Sequence, residues 1–249
     1  MSLQRARRWI LLGVALGAFL VLIANTGWWE TVLRSLFPGE TTVIHPRASL
    51  PVLVWEHIQL VAISSCITII IGIPLGIWVT RPSGRDFLPI VTDITSFGQT
   101  FPPVAVLALA VPVLGFGLMP TIVALFLYGL LPVVRNTIAG LRAVPPHLLD
   151  AAYGMGMSRL QALFRVELPL SAQVILVGVR ISVIINIGTA MIGAVIGAGG
   201  LGSPIIAGLV RDNLAFIIEG ALPAALLAIL ADQFLANLES SFAYISDKI

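Results

Sequence analysis

The residue types that carry covalent or metal chemistry are sparse in this chain and badly spaced for it. His45, His57 and His147 stand too far apart for a zinc motif of the HEXXH kind, and no Gly-x-Ser-x-Gly nucleophile turn occurs. The glycine run at 197–202 lacks the Lys-Ser/Thr of a phosphate-binding loop, so no nucleotide site is read there. The single cysteine, Cys66, cannot form an internal disulfide and reads as a small buried side chain. No metal site and no catalytic residue are expected. What remains is binding chemistry, densest at 150–169, DAAYGMGMSRLQALFRVELP, where Asp150, Arg159, Arg165 and Glu167 interrupt an apolar chain. Charges so placed suit a grip on a partner in water.

The elements that position these residues belong to a membrane. Hydrophobic residues make up 58% of the chain and charged ones 10%, with mean hydropathy +1.02; soluble domains carry about 25% charged residues. Lipid is therefore the main solvent, and the apolar runs are long and continuous, as helices require and barrel strands do not. An all-α polytopic membrane protein follows. The net charge of +2 comes from basic residues near span ends, which sets topology and gives no reason to expect nucleic acid.

Six spans are expected, near 9–23, 55–79, 87–114, 120–135, 170–195 and 214–237. No small-x-small cleavage site precedes Trp28 and Trp29, so the first reads as an uncleaved span with that pair as interfacial anchor. Residues 30–50 read as an external loop or short surface helix, and Glu56 and His57 as outer-surface residues. Arg5, Arg7, Arg8, Arg81, Arg85, Arg135, Arg142, Arg159 and Arg165 fall on one side, and Arg34, Arg47 and Arg211 on the other. The positive-inside rule puts both termini and the polar segment in the cytoplasm. The division read from this is 1–50, a first span with its external loop, and 51–249, the core membrane domain.

Within the polar segment, Pro145 and Pro146 suit a helix start, and Gly154 and Gly156 permit a sharp bend. Ser158 and Gln161 form a capping-box pattern for a second short helix over 159–166, with Pro169 at the join to the fifth span. The result is helix, glycine turn, helix. This segment resembles the EAA loop (about 140–170) of permease subunits of ATP-binding-cassette (ABC) importers. Asp150, Ala151 and Ala152 match its start, Gly156 its glycine, and Val166, Leu168 and Pro169 its ending, with Asp for the usual Glu and Val for the usual Ile. The resemblance implies a type I ABC importer permease (MetI-like) fold. It also implies that Ala151, Ala152 and Gly156 let a short coupling helix dock on an ATPase subunit, with Asp150 and Arg159 at its rim.

Two further features read as a translocation path. Gly98, Gln99, Thr100, Pro102 and Pro103 break the third span, and intramembrane breaks are tolerated where they line a cavity or are buried in protein. Asn186 and Thr189 put polar groups in the fifth span, which ends in Gly197, Gly199, Gly200 and Gly202 as a gate near the outer face. A plain kink and close helix packing are the alternatives. Arg180 reads as snorkelling to the cytoplasmic surface, and Asp93, Glu219 and Asp232 as structural.

The stretches at 98–108, 183–190 and 197–202 resemble osmoprotectant importers, which carry glycine betaine, choline or carnitine, and in particular the short permeases of low-affinity betaine systems. Met191 departs from the threonine expected there. The resemblance implies a subunit of the bacterial inner membrane with no enzymatic activity or cofactor of its own, since ATP and Mg would be bound by two ATPase partners. It further implies a second, related permease and an extracytoplasmic solute-binding protein. No aromatic cage for a quaternary ammonium is visible in a span. The alternatives are a permease for another small solute such as an amino acid, and an ion-coupled secondary transporter, against which stands the lack of midplane acids or visible repeats.

Overall fold

The structure, a computed structural model, describes residues 3–246 and the side chains of residues 6–242. The side chain of Arg5 and the extreme termini, expected in the cytoplasm, lie outside the described residues. The elements are α1 (Leu3–Ala24), α2 (Thr26–Leu36), α3 (Leu50–Val79), α4 (Leu88–Thr100), α5 (Pro103–Leu114), α6 (Leu118–Arg142), α7 (Pro146–Gly154), α8 (Arg159–Ala162), α9 (Leu168–Ala190), α10 (Gly202–Arg211) and α11 (Leu214–Ser246). No strand occurs among the described residues. Among the described residues, five helices are long and apolar enough to cross a membrane. The α4–α5 pair makes a sixth if counted as one broken span. The all-α, six-span expectation holds, with most spans longer than the sequence suggested.

The chain folds as two compact units. One comprises Met1–Ser64, Phe101–Leu125 and Ile184–Gln233. Its core gathers Phe19 and Ile23 from α1, Trp29 and Leu33 from α2, Leu50, Leu53 and Val54 from α3, and Leu201, Ala215 and Ala224. Trp29 is thus no interfacial anchor. It is 2% exposed, and its Nε1 donates to the Leu22 carbonyl at 2.9 Å. The reason is local: Asn25 caps α2 by accepting the Trp28 N–H at 3.0 Å, so α2 starts straight after α1 and folds its Trp29–Leu33 stripe inward. The strap 37–49 that follows is tied down by Asn213, whose Nδ2 donates to the Thr42 carbonyl at 2.8 Å, and by Glu219, which accepts the His45 N–H at 2.7 Å. His45 is buried with its ring edge-on to Phe216. Burial, then Arg47 and Arg211, hold its pKa below the usual value of 6.5.

The other unit comprises Ser65–Thr100, Phe126–Val183 and Phe234–Ile249. Val79, Leu130, Val134 and Ile138 form one core cluster. Small residues let the backbones approach closely: a Cβ on Gly178 would lie 2.6 Å from the Pro132 carbonyl, and one on Gly76 2.7 Å from Thr137. Cys66 is exposed rather than buried. In a lipid-solvated helix an apolar thiol on the outward face costs little, so the soluble-protein default fails there.

Candidate functional site

The helix–turn–helix expected at 150–169 is present. Pro145 stands at the N-cap of α7 and Pro146 at its first position. The helix closes with a paired hydrogen-bond motif: the Gly156 N–H donates to the Tyr153 carbonyl at 2.9 Å and the Met157 N–H to the Ala152 carbonyl at 3.1 Å. Gly156 adopts φ +79°, and a Cβ there would meet nothing within 4 Å. The glycine is therefore required by backbone conformation, not by space. Ser158 and Gln161 make both bonds of the capping box. The second helix does not stop, however. After α8 it widens into a π-helical turn, Leu163–Glu167, and runs directly into α9, so the expected junction at Pro169 is continuous helix.

Exposure divides this hairpin into two faces. Ala152, Ala162, Leu163 and Glu167 are buried, while Asp150, Ala151, Gly156 and Arg159 are exposed together with Tyr153, Met155, Leu160 and Phe164. Of the pair expected to dock, Ala151 faces outward and Ala152 packs inward. Glu167 forms a two-pronged ion pair with Arg81, Nη1 and Nη2 donating at 2.9 and 2.8 Å, which fastens the α3–α4 turn to the hairpin. Between turn and hairpin lies an open groove of about 1030 Å³. Nothing local links residues 81 and 167; the only signal for their pairing was that both were expected on the same side of the membrane.

The expected path residues make specific contacts. In the second unit, a Cβ on Gly98 would lie 3.2 Å from the Leu127 carbonyl, so α4 runs close to α6. Gln99 Nε2 donates to the Tyr128 carbonyl at 2.7 Å. That carbonyl's helical partner would be the N–H of residue 132, which is proline, and the glutamine amide fills the vacancy. Thr100 is exposed and its hydroxyl donates to the Phe97 carbonyl.

In the first unit, Pro102 caps α5 and Pro103 opens it. Asn186 is fully buried, its Nδ2 donating to Ser64 Oγ at 3.4 Å, and Thr189 is half-buried. Gly197, Gly199 and Gly200 all take positive φ, and a Cβ on Gly202 would strike the Met191 carbonyl. The Gly200 N–H donates to Glu56 Oε2 at 2.8 Å. His57, expected at the outer surface, is buried with Nε2 bonded to the Ile187 carbonyl at 3.0 Å. That carbonyl is among the last four of α9, which lose their α-helical partners as the backbone tightens into a 3₁₀ turn, Met191–Ile196. No group of three or more His, Cys, Asp or Glu able to hold a metal occurs among the described residues.

Comparison with known proteins agrees with this architecture. Residues 72–244 match the family described as binding-protein-dependent transport system inner membrane component. The osmoprotectant import permease protein OsmY of Salmonella typhimurium is 45% identical over 73% of this chain and 77% of its own length. The choline transport system permease protein OpuBB of Bacillus subtilis is 41% identical over 74% and 84%. The carnitine transport permease protein OpuCD of Listeria monocytogenes is 38% identical over 78% and 86%. In fold, the chain is similar to the inward-facing MetNI methionine ABC transporter, with TM-score 0.69, 23% identity, and coverage of 78% of this chain and 95% of that one. The chain therefore belongs to the family of binding-protein-dependent transport system inner membrane components, as a multi-pass permease subunit with the MetI-like fold of ABC importers.

Proposed function

We propose that this chain forms one half of the passage of an osmoprotectant importer in the bacterial inner membrane, with residues 51–249 as the permease core and both termini in the cytoplasm. The solutes are compatible solutes of the glycine betaine, choline and carnitine class, the class that relatives 38–45% identical to it are named for. Two ATPase subunits bind ATP and Mg and supply the work, a related second permease completes the passage, and an extracytoplasmic solute-binding protein delivers the solute. The observation that supports the coupling role is the apolar ridge of Met155, Leu160 and Phe164, exposed on a hairpin rimmed by Asp150 and Arg159. Exposed apolar side chains with charged neighbours on a segment in water suit a protein partner. Asp150, Ala151, Gly156 and Arg159 are the coupling residues that meet the ATPase, with Ala152 packed beneath them and Pro169 in the helix that carries them. Gly98, Gln99, Thr100, Pro102, Pro103, Asn186 and Thr189 shape the path, and Gly197, Gly199, Gly200 and Gly202 the outer gate.

The test is to purify the chain from native membranes with gentle solubilisation and cross-linking, identify its companions, and measure uptake of labelled choline, glycine betaine and carnitine. An ATPase and a second permease, with saturable uptake, are the expected results. No ATPase under cross-linking would end the coupling reading, and uptake of none of the three solutes would end the substrate reading.

A further inference from the structure

The groove beside the hairpin is a separate feature from its exposed apolar ridge. Its walls include Ile77, Arg81 and Ser83 on the α3–α4 side and Met157, Arg159 and Leu163 on the hairpin side. We infer that this groove receives an acidic, apolar segment projecting from the ATPase subunit, so that the ATPase is held by the α3–α4 turn as well as by the hairpin. The inference rests on the importer reading above and names a second contact within it.

Three observations lead there. First, the groove is built rather than incidental. The turn closes on itself, with the Gly84 and Arg85 N–H groups donating to the Arg81 carbonyl at 3.0 and 2.9 Å. The rings of Trp78 and Phe87 stack across its base at 5.3 Å. A Cβ on Gly84 would collide with the Trp78 carbonyl, so the chain can pass there only as glycine. The Arg81–Glu167 pair then fixes this stiff turn to the hairpin.

Second, its size, about 1030 Å³, lies at the top of the roughly 300–1,000 Å³ range of pockets that enclose drug-sized ligands. It admits several side chains of a partner. Third, its charge is one-sided. Among the described residues, the charged ones lining it are Arg81 and Arg159 and no acid lines it, and Glu167 neutralises Arg81. Arg159 is left as an exposed cation beside an apolar floor of Ile77 and Leu163, and Arg81 Nε is buried without a partner. An Asp or Glu flanked by apolar residues complements that lining. The groove is also continuous with the ridge, because Leu160 belongs to both.

The experiment places a photo-cross-linking side chain at Ser83, on the turn, and separately at Met155, on the ridge, in membranes holding the whole transporter. Labelled peptides are identified by mass spectrometry. Both positions are expected to label the ATPase, Ser83 through a peptide containing Asp or Glu. Ser83→Trp, which fills the groove from an exposed position, is expected to lower ATPase retention about tenfold, equivalent to about 1.4 kcal/mol. If Met155 labels the ATPase while Ser83 labels only lipid or nothing, the groove inference fails and the importer reading stands. If neither labels it, both fail. A Ser83-linked peptide without an acid refutes the charge argument, and unchanged retention in Ser83→Trp refutes occupancy of the groove.

Discussion

Breaking the Arg81–Glu167 pair is the sharpest test of how the hairpin is held. The Glu167 side chain is 4% exposed and the Arg81 side chain 29% exposed, with 2.8 Å between Nη2 and Oε2. At that separation the attraction is about 6 kcal/mol at an effective dielectric of 20, offset in part by the cost of taking both charges out of water. Removing one partner of a buried pair costs about 3–5 kcal/mol, because the other is left uncompensated. Arg81 retains some solvent, so Glu167→Gln belongs at the low end, about 3 kcal/mol. For a chain of this length each kcal/mol moves the midpoint of thermal unfolding by about 2–4 °C. The expected drop for Glu167→Gln is therefore roughly 6–12 °C in detergent. Arg81→Met should fall comparably, and the double variant should lose much less than the sum of the two single losses. Strict additivity, or single-variant losses under about 2 °C, would refute the claim that this pair fastens turn to hairpin.

Gly156→Ala forces a side chain into the left-handed region and should cost about 1–2 kcal/mol, while Gly156→Asn should cost less; thermal stability and ATPase co-purification check both. Gly202→Ala is expected to abolish uptake, since its Cβ meets the Met191 carbonyl rather than a movable side chain; wild-type uptake would show that α10 shifts freely. Asn186→Leu should cut uptake while leaving assembly intact, and unchanged uptake would remove that residue from the path. His45 has a depressed pKa in the fold, so the unfolded chain binds the proton more readily. Stability should be full above about pH 6.5 and decline as pH falls below that value through the lower folded pKa. His45→Gln should flatten that slope between pH 7.5 and 5.5.

The parts of the architecture that follow from local rules were legible in the residues. Continuous apolar runs, the proline start of α7, the glycine stop at Gly156 and the Ser158–Gln161 box each depend on neighbours within a few positions, and each appears in the fold. What was not legible depends on partners far away in the chain. Gln99 reads as part of a break in the third span; that its amide fills the vacancy at the Tyr128 carbonyl left by Pro132 is a need created in a different helix. His57 reads as an outer-surface residue by its position near a span end, and it is buried on the end of α9. Trp29 reads as an anchor because tryptophans favour interfaces; the tight α1–α2 connection turns it inward. Hydropathy could not show the π-helical turn, since a widened turn changes hydrogen-bond spacing and leaves composition untouched.

That turn has a consequence for how the chain can change over time. Each residue of an α-helix advances the rotation by about 100°, so the turn at Leu163–Glu167 sets the rotational phase between hairpin and span. Deleting or inserting one residue there would preserve every side chain of the hairpin and still aim its outward ridge about 100° away. Outward-facing positions in this stretch, such as Arg165, tolerate substitution, but its length is fixed. A relative differing by a single residue here would be expected to have a differently placed counterpart surface on its ATPase.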